Sequence, residues 1–366
     1  MKLALLGDIA LFGNNCIKNN NGLKNTLNAL KSELRDFDYI IANLEAPLTN
    51  SSSIHGSKSV YINSDPLNVE ILKFLGINAV ALSNNHIYDF GYNGVLETIR
   101  TLESAGIEWF GLDGKFLKLN ILGQKLAVHG YCSYNTNPSY NRISDLVSKN
   151  GLNLLHFENV TKQMTALHND GYFNVLSVHS GIENVSVPSI EDILFAKNLA
   201  SKFDYIYHGH HPHVIQGLEK YNGSILSFSQ GNCIFDDIYD HRTGNKLVEQ
   251  SFVNSCSYIL TTKIVNNRVE SFSTVPFSFY NGSFILNCNE SKKMLKERSN
   301  LLGLREVENN NLRRSQIKKI NLQRSSKRDL RWFFSRLRFS TLKRMFNNQI
   351  NSYLYNKNYK KRIGDE

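Results

Sequence analysis

Leu3-Ala4-Leu5-Leu6-Gly7-Asp8 is a short apolar run that stops on a carboxylate, and Asp38-Tyr39-Ile40-Ile41-Ala42-Asn43-Leu44-Glu45 is another. Both have the length and composition of buried strands. Between them Leu23, Leu27, Leu30 and Leu34 recur at the spacing of one helical face, which predicts a helix over 22–35. The three segments together predict a βαβ unit with Asp8 and Glu45 at the C-terminal ends of neighbouring strands, where open α/β sheets put their sites.

The same grammar continues outward. Pro66 opens a helix that Gly76 stops, 77–82 is a strand, and a helix over 91–105 gives way at Gly106 to a short strand over 107–110. The apolar runs 173–178 and 205–207 finish at histidines, with a helix over 190–201 between them; 224–229 adds a strand, and 259–276 predicts a closing hairpin through Asn266-Asn267. The pattern is α/β, and after about Asn289 it changes to Lys/Arg/Asn-rich helical sequence. The division expected is a domain over 1–289 and a basic, largely helical extension over 290–366.

Composition agrees with one large domain plus an appendage. Of 366 residues 41% are hydrophobic, with 21 Phe and 17 Tyr, enough for a sizeable core and too much for a disordered chain. The five cysteines, Cys16, Cys132, Cys233, Cys256 and Cys288, include no C-x-x-C pair and read as thiols of a reducing compartment. The apolar run near Met1 is too short for a signal-peptide core or a membrane span, so the compartment expected is the cytoplasm. Net charge is +10, yet residues 291–366 hold 21 Lys+Arg against 6 Asp+Glu, leaving the preceding domain mildly acidic.

Five strand-to-turn segments hold the chemistry: Gly7-Asp8; Asn43-Leu44-Glu45; Ser83-Asn84-Asn85-His86 with Asp89 and Gly91; His179-Ser180-Gly181-Ile182-Glu183; and His208-Gly209-His210-His211-Pro212-His213. Imidazole and carboxylate without cysteine suit Zn²⁺, Mn²⁺ or Fe. Taken singly, a Gly-Asp turn, an Asn85-capped turn or a buried His179 is ordinary. Four histidines in six residues, joined to two strand-end carboxylates, point to a metal site.

The ordered set Gly-Asp, Asn-Leu-Glu, Asn-Asn-His-x-x-Asp-x-Gly, His-x-Gly-x-Glu and Gly-His-His-Pro-His-Val, followed by Ser229-Gln230-Gly231-Asn232-Cys233-Ile234-Phe235-Asp236, resembles the bacterial capsule and poly-γ-glutamate synthesis CapA family, a branch of the calcineurin-like metallophosphoesterases. The resemblance implies a four-layer α/β fold, two packed mixed sheets flanked by helices. It implies a metal-dependent hydrolase of phosphate esters, with a phosphorylated or polymer-precursor substrate and one or two divalent ions, Mn, Fe or Zn. Asp8 and His213 would hold one ion, Asn85, His179 and His211 the other, and Glu45 would bridge them or bind one of them. Metal-activated water would attack phosphorus while His86, oriented by Asp89, acts as general acid. Asn43, Glu183 and His210 are placed as substrate contacts or supporting groups, with Glu183 equally readable as a surface carboxylate and His210 as substrate-facing.

The chain departs from the pattern in two places. Ala10 stands where phosphoesterases have a histidine, and Glu45 replaces an aspartate. These departures keep open a non-catalytic metal-binding accessory subunit of a polymer synthesis or export complex. A nuclease is the weaker third possibility. His55 and Lys58 fall in a Ser-rich stretch, 50–59, that reads as a solvated loop.

In the extension, residues 327–346 interleave Trp332, Phe333, Phe334 and Phe339 with Lys327, Arg328, Arg331, Arg336 and Arg338, the composition of an interfacial basic helix. It would hold the protein at the inner face of the membrane, dock a partner protein, or pack on the domain with a solvated rim. Nucleic acid is the disfavoured partner, because the domain is acidic and no recognition module is present. A fully soluble fraction in low salt without liposome binding would count against the membrane expectation.

Overall fold

The alternation in the first strand sets the layers. In a strand, successive side chains leave opposite faces. Leu3 and Leu5 therefore join one buried cluster and Ala4 and Leu6 another. The structure is a computed structural model that describes residues 1–55, 58, 60–136, 151–240, 244–326, 346, 349–354 and 357. The expected basic helix over 327–346 lies, but for residue 346, outside the described residues, as does most of 132–150.

In chain order the strands are β1 (Lys2–Ile9), β2 (Tyr39–Leu44), β3 (Ala79–Ala81), β4 (Glu108–Phe110), β5 (Leu117–Ile121), β6 (Gln124–Cys132), β7 (Phe173–His179), β8 (Tyr205–His210), β9 (Leu218–Tyr221), β10 (Ser224–Ser227), β11 (Asn232–Ile234), β12 (Ile238–Tyr239), β13 (Lys246–Val248), β14 (Cys256–Val265), β15 (Arg268–Tyr280) and β16 (Ser283–Leu286). One sheet runs β16-β15-β14-β1-β2-β3-β4, with β11 added in parallel beyond β1 at Asp8↔Asn232. The second runs β5-β6-β7-β8-β10-β9. Both are mixed: β1 to β4 and β6-β7-β8-β10 are parallel, while β14, β15, β16, β5 and β9 pair antiparallel.

The two sheets face each other through Leu3, Leu5, Ile41, Ala81 and Phe110 on one side and Leu126, Val128, Val175, Ile206 and Ile225 on the other. The outer face of the first sheet is covered by Leu27, Leu30, Leu72, Val95 and Leu102 of its helices. Val160, Met164, Phe195 and Leu199 cover the outer face of the second. The order helix, sheet, sheet, helix is the four-layer α/β arrangement expected. Burial of this many aliphatic side chains, each worth roughly 1.5–3 kcal/mol relative to exposure, is the main force holding the layers together.

Several expected elements shift. The helix over 22–35 is interrupted at Leu27 into Leu23–Thr26 and Asn28–Leu34. The strand over 205–207 continues to His210, so His208 sits inside it. The hairpin through Asn266-Asn267 exists, with both asparagines at positive φ, and its strands are longer than expected. Gly76, at φ +72, does end its helix.

Within the extension, Asn289–Asn300 and Glu306–Ser326 are helical and lie on the domain. Leu295 enters the cluster between the sheets and Leu302 the cluster on the outer face of the second sheet. Along the second helix, Asn309 and Arg313 donate to the carbonyls of Pro188 and Val187, Gln316 bonds Ser186, and Arg324 pairs with Glu183. All five cysteines are free and buried. Among the described residues no helix is long and apolar enough to cross a membrane.

Candidate metal centre

β1 ends beside β2, a parallel neighbour, with Asp8 paired to Asn43 after a one-residue shift of register between Leu5 and Asp8. Their C-terminal ends meet those of β7 and β8, so Asp8, Glu45, His179 and the turn after His210 converge between the sheets. A Cβ at Gly7 would overlap the Gly231 carbonyl, and the same carbonyl accepts from Asp8 N at 3.0 Å. Glycine at position 7 is what lets β11 approach and fix the Asp8 backbone.

Asp8 is fully buried. Asn43 Nδ2 donates to its Oδ1 at 2.8 Å, His210 Nδ1 lies 2.9 Å from the same oxygen, and His213 Nδ1 lies 3.6 Å from Oδ2. Burial by itself raises a carboxyl pKa, but the hydrogen bond and charge of His210, with His213 and Asn43, overcome it and hold Asp8 at about 2. Glu45 is equally buried, and neither of its oxygens has a hydrogen-bond partner among the described residues. Burial, and then the negative charge of Asp8, push its carboxyl well above the usual range. Two adjacent buried carboxylates, one without any donor, form a site that a cation would satisfy.

The imidazoles complete it. His179 Nε2 lies 2.9 Å from Asn85 Oδ1, 3.1 Å from His211 Nδ1 and 4.0 Å from Glu45 Oε1. His213 Nε2 lies 3.5 Å from Glu45 Oε1, and its Nδ1 lies 2.9 Å from Asn232 Oδ1. Glu45, His179 and His211 thus bring donor atoms within 4.8 Å of one another, and so do Asp8, Glu45 and His213, with Glu45 common to both sets. Burial lowers His211 to about 4; burial and then the charge of His211 lower His179 well below the imidazole range. Neutral rings offer the lone pairs that a divalent ion requires. His211 and His213 stand at φ 95 and 55, left-handed backbone that non-glycine residues rarely adopt, and this turn aims both rings inward.

Asn84, not Asn85, caps the turn before the Gly91 helix: its Oδ1 accepts from His86 N at 3.1 Å and Ile87 N at 3.0 Å. That leaves the Asn85 side chain for His179. His86 Nδ1 lies 2.7 Å from Asp89 Oδ2. Burial, and then the charge of Lys58, lower the His86 ring.

The structure narrows several readings. His210 is 2% exposed with its Nδ1 2.9 Å from Asp8 Oδ1, the place of a supporting group. His208 is a core residue bonded to the Leu6 carbonyl and Gln230. Ser52, Ser53 and His55 are exposed in a loop as expected, but the Lys58 side chain departs from that reading: it is 9% exposed and paired with the buried Asp89. Asn43 is likewise a partner of Asp8. Glu183 has a side chain 39% exposed and pairs with Arg324; burial works against ionisation there, but the charges of His211 and His213, then Arg324, keep its carboxyl low. Asn232, which orients His213, was in the quoted segment without a role.

Ala10 joins Ala46, Ile62, Phe235 and Ile238 in a small apolar cluster. The position where the pattern has a histidine is closed by hydrocarbon. The Asp8 side therefore offers three donors, Asp8, Glu45 and His213, against four on the other, Glu45, Asn85, His179 and His211.

Residues 2–237 match the family described as bacterial capsule synthesis protein PGA_cap. The capsule biosynthesis protein CapA of Bacillus anthracis is 23% identical over 280 residues, 73% of this chain and 67% of its own length. The PGA biosynthesis protein CapA of Bacillus subtilis is 24% identical over 225 residues, 59% of this chain and 58% of its own. The chain thus spans about three fifths of the curated relatives it matches. Among solved structures, a putative 5'-nucleotidase from Staphylococcus aureus in complex with alpha-ketoglutarate is 12% identical, covering 82% of this chain and 58% of its own at a TM-score of 0.44.

Proposed function

The chain belongs to the bacterial capsule synthesis protein family PGA_cap, and from that premise we propose that it serves the biosynthesis of a capsule or related surface polymer as a metal-dependent phosphoesterase. The observation that supports the activity most is Glu45: a buried carboxylate with both oxygens unpartnered, shared by two converging donor sets. Glu45, Asn85, His179 and His211 would hold one ion, and Asp8, Glu45 and His213 a second. A divalent ion bound there supplies Lewis-acid activation of water and of a phosphate oxygen.

The chain's own groups do the rest. His86 Nδ1 is committed to Asp89, which leaves Nε2 to give a proton to the leaving oxygen of a phosphorylated polymer precursor. Asn43 and His210 hold Asp8, and Asn232 holds His213, so the donor atoms are fixed before any ligand arrives. Purified protein reconstituted with Mn²⁺, Fe²⁺ or Zn²⁺ is expected to hydrolyse aryl phosphomonoesters or diesters, with turnover abolished by chelation. Retained metal without turnover on either ester class would favour the second reading, a metal-binding accessory subunit. The hydrocarbon around Ala10 is the observation on that side.

A further inference from the structure

Lys58 lies 31 residues from Asp89 in sequence, yet its ammonium nitrogen stands 2.5 Å from Asp89 Oδ1. The same nitrogen is 2.5 Å from the main-chain carbonyl of Asn85 and 3.4 Å from His86 Nδ1. Lysine is the side chain that most readily reaches for water, and here it is 9% exposed. Burying it against a fully buried carboxylate is tolerated only because the pairing is direct.

Asp89 is fully engaged. Its Oδ2 accepts from Ile62 N at 2.9 Å and lies 2.7 Å from His86 Nδ1, and its carbonyl accepts from His55 N at 2.8 Å. Three donors thus converge on one carboxylate, the Lys58 ammonium on Oδ1 and the His86 ring with Ile62 N on Oδ2. Lys58 on Oδ1, with Ile62 N on Oδ2, restrains the carboxylate from turning away from His86. The bond from Lys58 to the Asn85 carbonyl adds a second restraint. One cation ties the residue whose side-chain oxygen faces His179 to the pair that aims His86.

We propose that Lys58 is a positioning residue for proton donation by His86: it locks Asp89 and the Asn85 main chain so that His86 Nε2 stays aimed at the leaving oxygen. The proposal deepens the phosphoesterase reading and rests on it. In the step it serves, water forms the new phosphorus–oxygen bond and gives up a proton to solvent, the bond to the leaving group breaks, the proton of His86 Nε2 passes to the departing oxygen, and solvent then reprotonates His86.

A group acting through the general acid matters in proportion to how badly the leaving group needs a proton. Lys58→Met, with Lys58→Gln in parallel should Met fold poorly, is expected to slow an alkyl phosphate at least ~10-fold more than an aryl phosphate, with Lys58→Arg restoring part of the loss. Metal content should stay that of the wild type. A second readout does not need turnover: in ¹⁵N-histidine-labelled protein the His86 Nδ1 proton should exchange with solvent at least ~10-fold faster in Lys58→Met than in wild type. Equal slowing of both substrates, or an unchanged His86 Nδ1 exchange rate, would reduce Lys58 to a loop tether. If wild-type protein hydrolyses neither substrate, the hydrolytic reading fails on its own, and the exchange rate still decides whether Lys58 orders His86.

Discussion

Glu45→Gln is expected to empty the centre of metal and, at the same time, to stabilise the metal-free fold. The carboxylate is shared by both donor sets, so its loss weakens both. Supporting groups around metal ligands are worth 10- to 100-fold in affinity, and removing a shared donor should cost on the order of 100-fold or more. In the absence of metal the same carboxylate is a liability, because burial and the neighbouring Asp8 charge raise its pKa. A carboxyl whose folded pKa is raised contributes stability below its unfolded pKa and loses it as pH rises through the folded value. At neutral pH, glutamine removes that penalty. Elemental analysis should therefore find little metal in the variant, and thermal melting in chelator should place its midpoint above that of chelated wild type. Metal retained at wild-type stoichiometry would remove Glu45 from the centre. Because the ring donors must be neutral to bind, and burial holds His211 at about 4 and His179 well below the imidazole range, protonation of these rings should drive metal off only as pH approaches about 4.

His86→Gln separates chemistry from binding. The ring is not among the converging donors; its Nδ1 faces Asp89, and the adjacent Asn85 supplies the oxygen toward His179. The variant is expected to keep its metal and lose about 10²- to 10⁴-fold in turnover of an alkyl phosphate, the usual range for a positioned acid. An aryl phosphate, whose leaving group departs without a proton, should suffer less. Metal lost along with activity would make His86 a ligand or a structural support; turnover unchanged would place the proton donor elsewhere.

What the sequence made legible was local or strand-borne. Asp8 and Glu45 close apolar runs, although the register shift between Leu5 and Asp8 that places Asp8 beside Asn43 has no local signal. The His211-Pro212-His213 run is dense enough to be read directly, although nothing local announces that both histidines adopt left-handed backbone. The partners of these groups were harder. His210 and His208 look alike in sequence and, two residues apart on one strand, share a face, yet at the strand's end His210 Nδ1 reaches Asp8, while His208, further in, bonds the Leu6 carbonyl and Gln230 in the core. Lys58 sits in a Ser-rich stretch without periodicity, and only the long-range pairing with Asp89 gives it a place.

The fold shows the same division. The β5–β6 hairpin escaped notice because its turn, Leu122-Gly123, puts a leucine at φ 51 where Asn or Asp usually signals a hairpin. The helix over Phe157–Asn169 did carry a stripe, Phe157, Val160, Met164 and Leu167, that could have been found. Glu306–Ser326 docks through Asn309, Arg313 and Gln316, polar side chains bonded to the 186–188 backbone, with Leu312, Ile317 and Ile320 only partly buried beside them, so its apolar stripe is thin. A helix that binds by hydrogen bonds reads as a solvated extension.

Anomalous diffraction at the absorption edge of the bound element, on crystals of protein whose metal content per chain has first been measured, tests the central claim most directly. The account predicts at least one ion per chain, bounded by Glu45, Asn85, His179 and His211, with any second ion between Asp8, Glu45 and His213. Protein reconstituted with Mn²⁺, Fe²⁺ or Zn²⁺ that shows no peak among these residues, or a peak elsewhere, would contradict it.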